Sequence, residues 1–222
     1  MKSNNKNKWV SFRGLWALIA LASAPVAGCS GLVDSPQTKA PEQNVRSYYI
    51  KLDQPKMQYQ YALTSKHDYL PASDVLVMDM LGSDSDSFGS TPIYYCNWSY
   101  RTAGKGTAWF YALDQSKAVA LGVEINNKYT DSWVELQSPL SRDASWTFIS
   151  KGESITAKVT QFGISAAVGG KNYDDVVVVS YTGAAGTKGT SWFARGIGTI
   201  YSHLERPGDV MFDQQFQSME QK

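Results

Sequence analysis

From residue 48 onward, short runs of apolar and β-branched residues alternate with clusters of Gly, Asn, Asp and Ser. Runs of this length and composition, separated by turn-forming residues, are typical of β-strands. Helical spacing of apolar residues is scarce in the same region. The sequence therefore predicts an all-β or mainly β domain over residues 48–205, with strands at 48–53, 57–64, 74–80, 92–100, 107–113, 118–125, 131–137, 145–150, 153–161, 163–168, 174–182 and 190–203.

The predicted strand 92–100 shows how the pattern assigns side chains to faces. Successive residues of a strand point to opposite faces, so one face carries Tyr94, Cys96, Trp98 and Tyr100. The thiol of Cys96 therefore lies in a row of aromatic rings. A buried, unreactive thiol and a reactive one both fit this position, and we expect the buried one.

The tail, residues 206–222, has the one helical pattern of the chain. Phe212, Phe216 and Met219 are spaced at i, i+4 and i+7 after a Pro-Gly-Asp turn. This spacing places three apolar side chains on one side of a helix, whose first turn Asp209 could cap. A short C-terminal helix and a frayed tail are the two alternatives.

Self-comparison suggests an internal duplication. Short matches recur in the same order at offsets of 81 to 85 residues, and the longest pairs Gly106-Thr107-Ala108-Trp109-Phe110 with Gly189-Thr190-Ser191-Trp192-Phe193. A constant offset predicts two related units, 48–125 and 132–205, built as two similar β-meanders. Convergent composition of two hairpins is the alternative explanation.

The N-terminal residues have a pattern of their own. Four basic and no acidic residues in 1–13 precede the apolar stretch 15–22, which is shorter than the roughly 20 residues of a permanent membrane-spanning helix. Small residues then lead into Val26-Ala27-Gly28-Cys29. Residues 1–28 in this arrangement resemble the signal peptides of bacterial lipoproteins. A core helix followed by a chance cysteine is the alternative.

The resemblance implies cleavage between Gly28 and Cys29 and the attachment of acyl chains such as palmitate to Cys29. Several acyl chains exceed what stable membrane anchoring requires. Ser30 follows where some bacterial lipoproteins carry an aspartate that retains them in the inner membrane, so the resemblance implies an outer-membrane lipoprotein with its domain in the periplasm. Residues 29–47, with two prolines and few apolar side chains, are typical of a flexible tether.

Composition excludes nucleic acid as a partner. Four of the 21 basic residues lie in 1–28, which leaves 17 Lys and Arg against 20 Asp and Glu, without a basic run. Once Cys29 is lipidated, Cys96 is the one remaining cysteine, so no intramolecular disulfide can form. The fold must therefore depend on burial, to which many aromatic side chains contribute.

Neither a catalytic nor a cofactor motif is recognisable. The nucleophile elbow Gly-x-Ser-x-Gly is absent, and the two histidines, His67 and His203, fall in a polar turn and near the end of a predicted strand. Either could serve a hydrolase as a base, but both positions are typical of ordinary surface residues. Two distant histidines and one thiol do not make a zinc site. We expect no enzymatic activity, no metal and no cofactor.

Residues 146–204 resemble a pattern of bacterial envelope lipoproteins, in which a Trp-containing strand precedes a valine-rich strand and a strand closing as aromatic-Ala-x-Gly-hydrophobic-Gly. The corresponding segments here are Trp146, Tyr173-Asp174-Asp175-Val176 and Trp192-Phe193-Ala194-Arg195-Gly196-Ile197-Gly198, with Arg195 in place of the usual lysine. Many such proteins are similar to the antiparallel half-barrels of the periplasmic lipoprotein carrier and its outer-membrane receptor, which hold acyl chains in a concave cavity. The resemblance implies a curved antiparallel sheet or half-barrel.

Two functions fit these expectations. In the first, the protein binds a lipid or other hydrophobic ligand in a β cavity; in the second, it docks a partner protein as an accessory or assembly subunit of the envelope. A carrier needs a cavity, whereas an adaptor needs an exposed apolar patch and tolerates a filled core. We expect the carrier. Five aromatic residues are candidates to line its cavity, with simple core packing as the alternative for each: Tyr94, Trp98, Trp109, Trp146 and Trp192.

Overall fold

The computed structural model describes residues 39–66, 72–104, 106–126, 128–129, 131–208 and 210–222. These residues form a twelve-stranded antiparallel sheet, a separate two-stranded hairpin and one turn of 3-10 helix at Val45–Tyr48, and none of them forms a helix long and apolar enough to cross a bilayer. The predicted all-β fold is thus confirmed. In chain order the strands are β1 (Met57–Ser65), β2 (Ser73–Phe88), β3 (Thr91–Tyr100), β4 (Gly106–Leu113), β5 (Lys117–Gly122), β6 (Glu124–Ile125), β7 (Lys128–Tyr129), β8 (Trp133–Gln137), β9 (Ser145–Ser150), β10 (Glu153–Val168), β11 (Lys171–Gly183), β12 (Lys188–Ala194), β13 (Gly198–Arg206) and β14 (Val210–Gln221).

The large sheet consists of two successive six-stranded meanders. Its order is β8-β5-β4-β3-β2-β1-β14-β13-β12-β11-β10-β9, so the strands of each half follow one another across the sheet in the reverse of their order in the chain. The β6–β7 hairpin is inserted between the last two strands of the first half, and the halves join where β1 pairs with β14. Two meanders in the same order are what a duplication predicts, and the duplication itself stays a prediction.

The sheet curls until its two edge strands approach each other. The indole Nε1 of Trp146 on β9 donates a hydrogen bond to the main-chain oxygen of Val134 on β8, at 3.1 Å. Register shifts along β10 bend the long β10–β11 hairpin, because a bulge kinks the strand that carries the extra residue. Lys171, near the tip of this hairpin, reaches β14 and donates to the main-chain oxygen of Gln217 at 2.6 Å. The sheet is therefore nearly closed into a barrel.

The strand directions define two ends of this barrel. We call one the open end; it carries the connections that follow β3, β9, β11 and β13, which include residues 101–104, 151–152, 184–187 and 207–208. The opposite, closed end carries the β2–β3 and β10–β11 turns. The second of these turns is Gly169-Gly170, with φ of +59° and +74°. Positive φ at both central residues is the requirement of a two-residue type I′ hairpin, which glycine meets without strain.

Residues 42–56, here called the plug, fill the closed end. Main-chain hydrogen bonds hold it in place, from Val45 N to the oxygen of Gln115 at 2.8 Å and from Gly196 N to the oxygen of Ser47 at 2.7 Å. Its buried side chains join the main hydrophobic core of the barrel. They are Val45, Tyr48, Tyr49, Ile50 and Leu52.

The plug begins earlier than the predicted boundary at residue 48. Glu42 forms a β-bridge with Leu140, and Val45 is completely buried, so the described end of the predicted tether is packed against the barrel. The contact with β13 is close: a Cβ at Gly198, where φ is +105°, would lie 2.7 Å from the nitrogen of Ile50. Glycine is therefore required at that position.

Several predicted strands differ from the observed ones. The segment 48–53 belongs to the plug and is not a strand, and 153–161 continues without interruption into 163–168 as β10. The segment 190–203 is two paired strands, β12 and β13, because the chain reverses at Gly196, whose φ is +76°. Glycine in that turn adopts a conformation that a residue with a Cβ resists.

Both alternatives for the tail, a short helix and a frayed end, are wrong, because residues 210–221 form β14. Phe212 pairs with Ser65 of β1 on one side and with Leu204 of β13 on the other. A strand between two partners satisfies its backbone hydrogen bonds on both sides, and this tertiary context overrides a helical spacing of three apolar residues.

Candidate functional site

A cavity of about 320 Å³ lies inside the barrel, between the plug and the open end. This volume falls at the lower end of the roughly 300–1,000 Å³ of ligand pockets. It is about twice the roughly 150 Å³ of an engineered apolar cavity that accommodates benzene. The cavity is therefore large enough for one small apolar molecule or a single short chain.

The floor of the cavity combines tyrosine rings with one carboxyl group. Tyr49 and Ile50 come from the plug, Tyr61 from β1, Tyr111 from β4 and Glu135 from β8. Burial raises the pKa of each of the three phenols well above its usual value. The tyrosines are therefore neutral at physiological pH, and Glu135 is the one carboxyl group among these residues.

Glu135 is the extra residue of a bulge in β8. Ala118 of β5 faces Leu136 and Val119 faces Val134, so Glu135 has no direct partner in the neighbouring strand. Bulges next to functional sites re-aim a side chain in this way. The bulge places a carboxyl group against an otherwise apolar floor.

Both the side chain and the main chain of Glu135 accept hydrogen bonds from tyrosines. Tyr49 Oη donates to Oε2 of Glu135, and Tyr181 Oη donates to its main-chain oxygen at 2.9 Å. The second carboxyl oxygen, Oε1, accepts no hydrogen bond from a described residue, and no described Lys or Arg forms an ion pair with it. Burial raises the pKa of Glu135 from 4.5 to about 7, although the bond from Tyr49 acts in the opposite direction.

Aromatic pairs form the walls above this floor. Trp98 of β3 and Trp109 of β4 stack with ring centroids 4.5 Å apart and planes 13° apart, and Trp133 lies 5.0 Å from Tyr181. The indole Nε1 atoms of Trp98 and Trp109 are buried without a hydrogen-bond partner among the described residues. Both Nε1 atoms are inaccessible to solvent, so the rings of the two tryptophans border the cavity but their N–H groups do not.

Charged and polar groups form the rim at the open end. Arg206 Nη2 donates to Ser150 Oγ at 2.9 Å, and its Nη1 lies 3.6 Å from Oδ2 of Asp131. The guanidinium also lies 5.4 Å from the centroid of the Trp133 ring. These contacts link β13 to β9 and to the residues before β8, across the mouth of the cavity, with Lys151 beside them.

Two of the five predicted ligand-binding residues, Trp98 and Trp109, line this cavity. Tyr94 is buried nearer the closed end, where its hydroxyl lies 3.4 Å from Nη2 of Arg46. Trp146 is buried at the β8–β9 seam through its hydrogen bond to Val134. Neither Tyr94 nor Trp146 lines the cavity.

Trp192 lies on the outer face of the sheet. Its neighbour Ser191 lines the cavity and Phe193 is completely buried, so the alternation of β12 directs Trp192 away from the interior. Its ring packs edge-on against Tyr201 at 5.8 Å. Trp109, the equivalent residue of the first Gly-Thr-x-Trp-Phe segment, faces inward. The two segments therefore differ by one residue in the register with which they pair in the sheet.

Glu135 and the tyrosines of the floor were not predicted from the sequence. One signal was present: alternation along β8 places Glu135 on the same face as Trp133, and a tryptophan in a strand is a sign of an inward face. The tyrosine of the plug, Tyr49, gave no such signal because its position depends on contacts with distant strands.

His203 is held between two carboxylates. Its Nδ1 lies 2.7 Å from Oδ1 of Asp213, which also accepts a hydrogen bond from Tyr201, and its Nε2 lies 3.4 Å from Oε1 of Glu205. Among the described residues, no hydroxyl or thiol is hydrogen-bonded to the ring. A base for nucleophilic catalysis needs such a group within reach.

Several predictions fall outside the described residues. These include the signal peptide with Gly28 and Cys29, and also His67. Cys96 is buried and unpaired within the aromatic row, and burial raises the pKa of its thiol to about 12. Within the described part of the chain, no group of three or more His, Cys, Asp or Glu side chains is placed to hold a metal ion.

No family model and no curated protein matches this chain. Two solved structures are similar to it. One, with 9% identity and a TM-score of 0.46 over 78% of this chain and 98% of its own, is described as a "putative exported protein with YmcC-like fold" from Bacteroides fragilis NCTC 9343. The other, with 6% identity and a TM-score of 0.40 over the same shares, is described as a "putative lipoprotein" from Parabacteroides distasonis ATCC 8503. Function is therefore inferred from the residues of the cavity itself.

Proposed function

We propose that this protein is a non-enzymatic lipoprotein of the bacterial envelope, anchored through acyl chains on Cys29, that binds a hydrophobic ligand inside its barrel. The cavity carries the proposal. Its walls are aromatic and aliphatic, and its floor carries the carboxyl group of Glu135, whose Oε1 has no donor among the described residues. Polar groups in a filled core are normally hydrogen-bonded, so an incompletely paired carboxyl group beside empty space favours a site that a ligand completes.

The dimensions of the cavity restrict the ligand. A volume of about 320 Å³ suits one acyl chain or a small ring system and is too small for a whole two-chain phospholipid. The rim of charged and polar side chains suits a ligand that enters from the open end, since the plug occupies the other.

The alternative function, docking of a partner protein, finds less support. It requires a contiguous exposed apolar patch. An apolar cluster does lie on the outer face around Val119, but Tyr129 of the β6–β7 hairpin packs on it and contacts Phe110 at 5.6 Å. The large apolar side chains that are exposed among the described residues come from three different strands: Leu81, Phe88, Ile125 and Ile149.

The anchor is tested by cell fractionation. Cys29→Ala removes the thiol that would carry the acyl chains, so the variant should leave the membrane fraction and become soluble. Cys96→Ala is the matched control and should stay membrane-bound. Tight membrane association of Cys29→Ala would refute the anchor.

The ligand is tested by native mass spectrometry of residues 30–222 expressed in a bacterial periplasm. We expect an adduct that dissociates as a hydrophobic molecule. Ala120→Phe, which fills the cavity, should remove the adduct, whereas the same change at the exposed Ala108 on β4 should retain it. A wild-type protein without any adduct would argue for the docking function instead.

A further inference from the structure

We infer that the ligand is an apolar molecule bearing a protonated amine, and that its ammonium group binds at the cavity floor against Glu135. The inference rests on the proposed ligand-binding function and names the chemical class of the ligand. It follows from three features of the cavity. Its floor has an incompletely paired carboxyl group and a surround of aromatic rings, and the described Lys and Arg side chains that line the cavity lie at its rim instead of its floor.

The first feature is the hydrogen bonding of Glu135. Its Oε2 accepts from Tyr49, while Oε1 has no donor among the described residues. A carboxylate removed from water needs an opposite charge or further donors to remain ionised. An ammonium group supplies both, because it carries a positive charge and three N–H donors.

The second feature is the aromatic surround. Tyr49, Tyr61 and Tyr111 make up most of the floor, and the stacked Trp98 and Trp109 rise above it. Aromatic rings attract cations within about 6 Å of the ring centroid, and cages of such rings recognise ammonium groups. A floor of this composition favours a cation over an anion.

The third feature is the position of the cationic side chains. Arg206 and Lys151 lie at the rim, and Arg206 is engaged there by Ser150 and Asp131. No described Lys or Arg lines the floor. The negative charge of Glu135 is therefore left for an occupant to neutralise.

These features disfavour a fatty acid. A carboxylate head at the floor would face Glu135 and be repelled, because like charges oppose each other's ionisation. If the fatty acid bound the other way round, with its carboxylate at the rim, its apolar tail would cover Oε1 of Glu135. The tail would remove this oxygen from water without offering a hydrogen-bond donor. Burying a polar group in that way carries a desolvation penalty.

Glu135 is the group that changes charge on the floor near neutral pH. The titratable groups that face it from the plug and from β1, β4 and β11 are tyrosines, and burial keeps the pKa of each well above the usual phenol value. Cys96 of β3, next to Tyr61 and Tyr111, has its pKa raised as well. The other charged or titratable groups that line the cavity are Asp131, Lys151, His203 and Arg206, from the open-end half of the barrel.

The test is calorimetric titration of residues 30–222, which include every described residue, with three probes of equal chain length: octylammonium, octanoate and octanol. We expect octylammonium to bind most tightly at pH 8.5. Its affinity should fall about 30-fold between pH 8.5 and pH 5.5, because protonation of a carboxyl with a pKa of about 7 competes with binding. Octanol carries no charge, so its affinity should change far less across this range and should not show this preference for high pH.

The Glu135→Gln variant keeps the shape of the side chain and an acceptor for Tyr49. It should bind octylammonium no better than octanol and without pH dependence, while Glu220→Gln, at an exposed position of β14, should behave as wild type. Octanol binding without a preference for octylammonium, or a preference for octanoate, would overturn the inference and leave the carrier function standing. Failure of all three probes to bind would overturn both.

Discussion

Replacing Glu135 by Gln should stabilise the protein increasingly as the pH rises. In the folded state burial raises the pKa of this carboxyl from 4.5 to about 7, so the folded protein binds the proton more tightly than the unfolded chain does. Stability therefore falls as the pH rises through this interval. Gln carries no charge at any pH and still offers an amide oxygen to Tyr49.

The size of the effect follows from the two pKa values. A pKa difference of one is worth about 1.4 kcal/mol, so a carboxyl whose pKa rises from 4.5 to about 7 on folding costs about 3 kcal/mol at pH 8. At pH 5 the folded carboxyl is protonated and the cost is below about 1 kcal/mol. The gain from the Gln substitution should thus differ by about 2–3 kcal/mol between these two pH values.

Urea unfolding, followed by tryptophan fluorescence at several pH values from 5 to 8, measures this difference. The protein should first be refolded from urea so that any bound ligand is removed. Comparing the variant with wild type at each pH cancels the titration of every other group, and Glu220→Gln controls for the loss of a negative charge. If the gap between wild type and Glu135→Gln is the same at pH 5 and pH 8, the carboxyl is not titrating in a buried site.

Two further predictions concern the plug and the thiol. Asp175 accepts hydrogen bonds from Lys39, from Tyr48 at 2.6 Å and from Arg195 at 2.5 Å, so Asp175→Ala should loosen the N-terminal segment and lower the free energy of unfolding by about 1–2 kcal/mol. Burial acts to raise the pKa of Asp175, but these bonds outweigh it and lower the pKa. The effect should therefore begin to decline as the pH falls below about 4 and be lost once the pH is below the lowered pKa of the folded state. The neighbouring Asp174→Ala should have little effect in the same urea titration. The thiol of Cys96 in residues 30–222 should not react with Ellman's reagent at pH 8 until the protein is unfolded, because burial raises its pKa to about 12. If Cys96 reacted as fast in the native protein as in the unfolded protein, β3 would be accessible to the reagent.

Alternation along the strands predicted faces correctly but could not locate the empty space. Trp98 pairs with Met78 and Cys96 with Met80, so the row that the sequence assigned to one face of β3 does face the core. Tyr94 belongs to the same row, yet only the open-end half of the row borders the cavity. The plug fills the closed end, and its burial depends on long-range contacts that its tether-like composition does not reveal.

The pairing register of the strands is a second property that could not be predicted from the sequence. The turns before the two Gly-Thr-x-Trp-Phe segments differ in length, and Gly106 pairs with Ser99 whereas Gly189 pairs with Tyr181. A slip of one residue moves a side chain to the opposite face, so identical motifs place Trp109 inside and Trp192 outside. Motif identity alone therefore does not identify cavity residues in a β-sheet.

Glu135 connects the stability of the barrel to its proposed ligand. A half-buried carboxyl whose ionisation costs about 3 kcal/mol at pH 8 is a poor choice for packing alone, and strongly perturbed carboxyls in cavities cluster at functional sites. A bound ammonium group would favour the ionised form and lower the pKa of Glu135 toward its usual value. Saturating octylammonium should therefore reduce the difference in stability between wild type and Glu135→Gln at pH 8, whereas octanol should leave it unchanged. If octylammonium and octanol changed this difference equally, the stability cost of the Glu135 carboxyl would be unrelated to the recognition of the ligand.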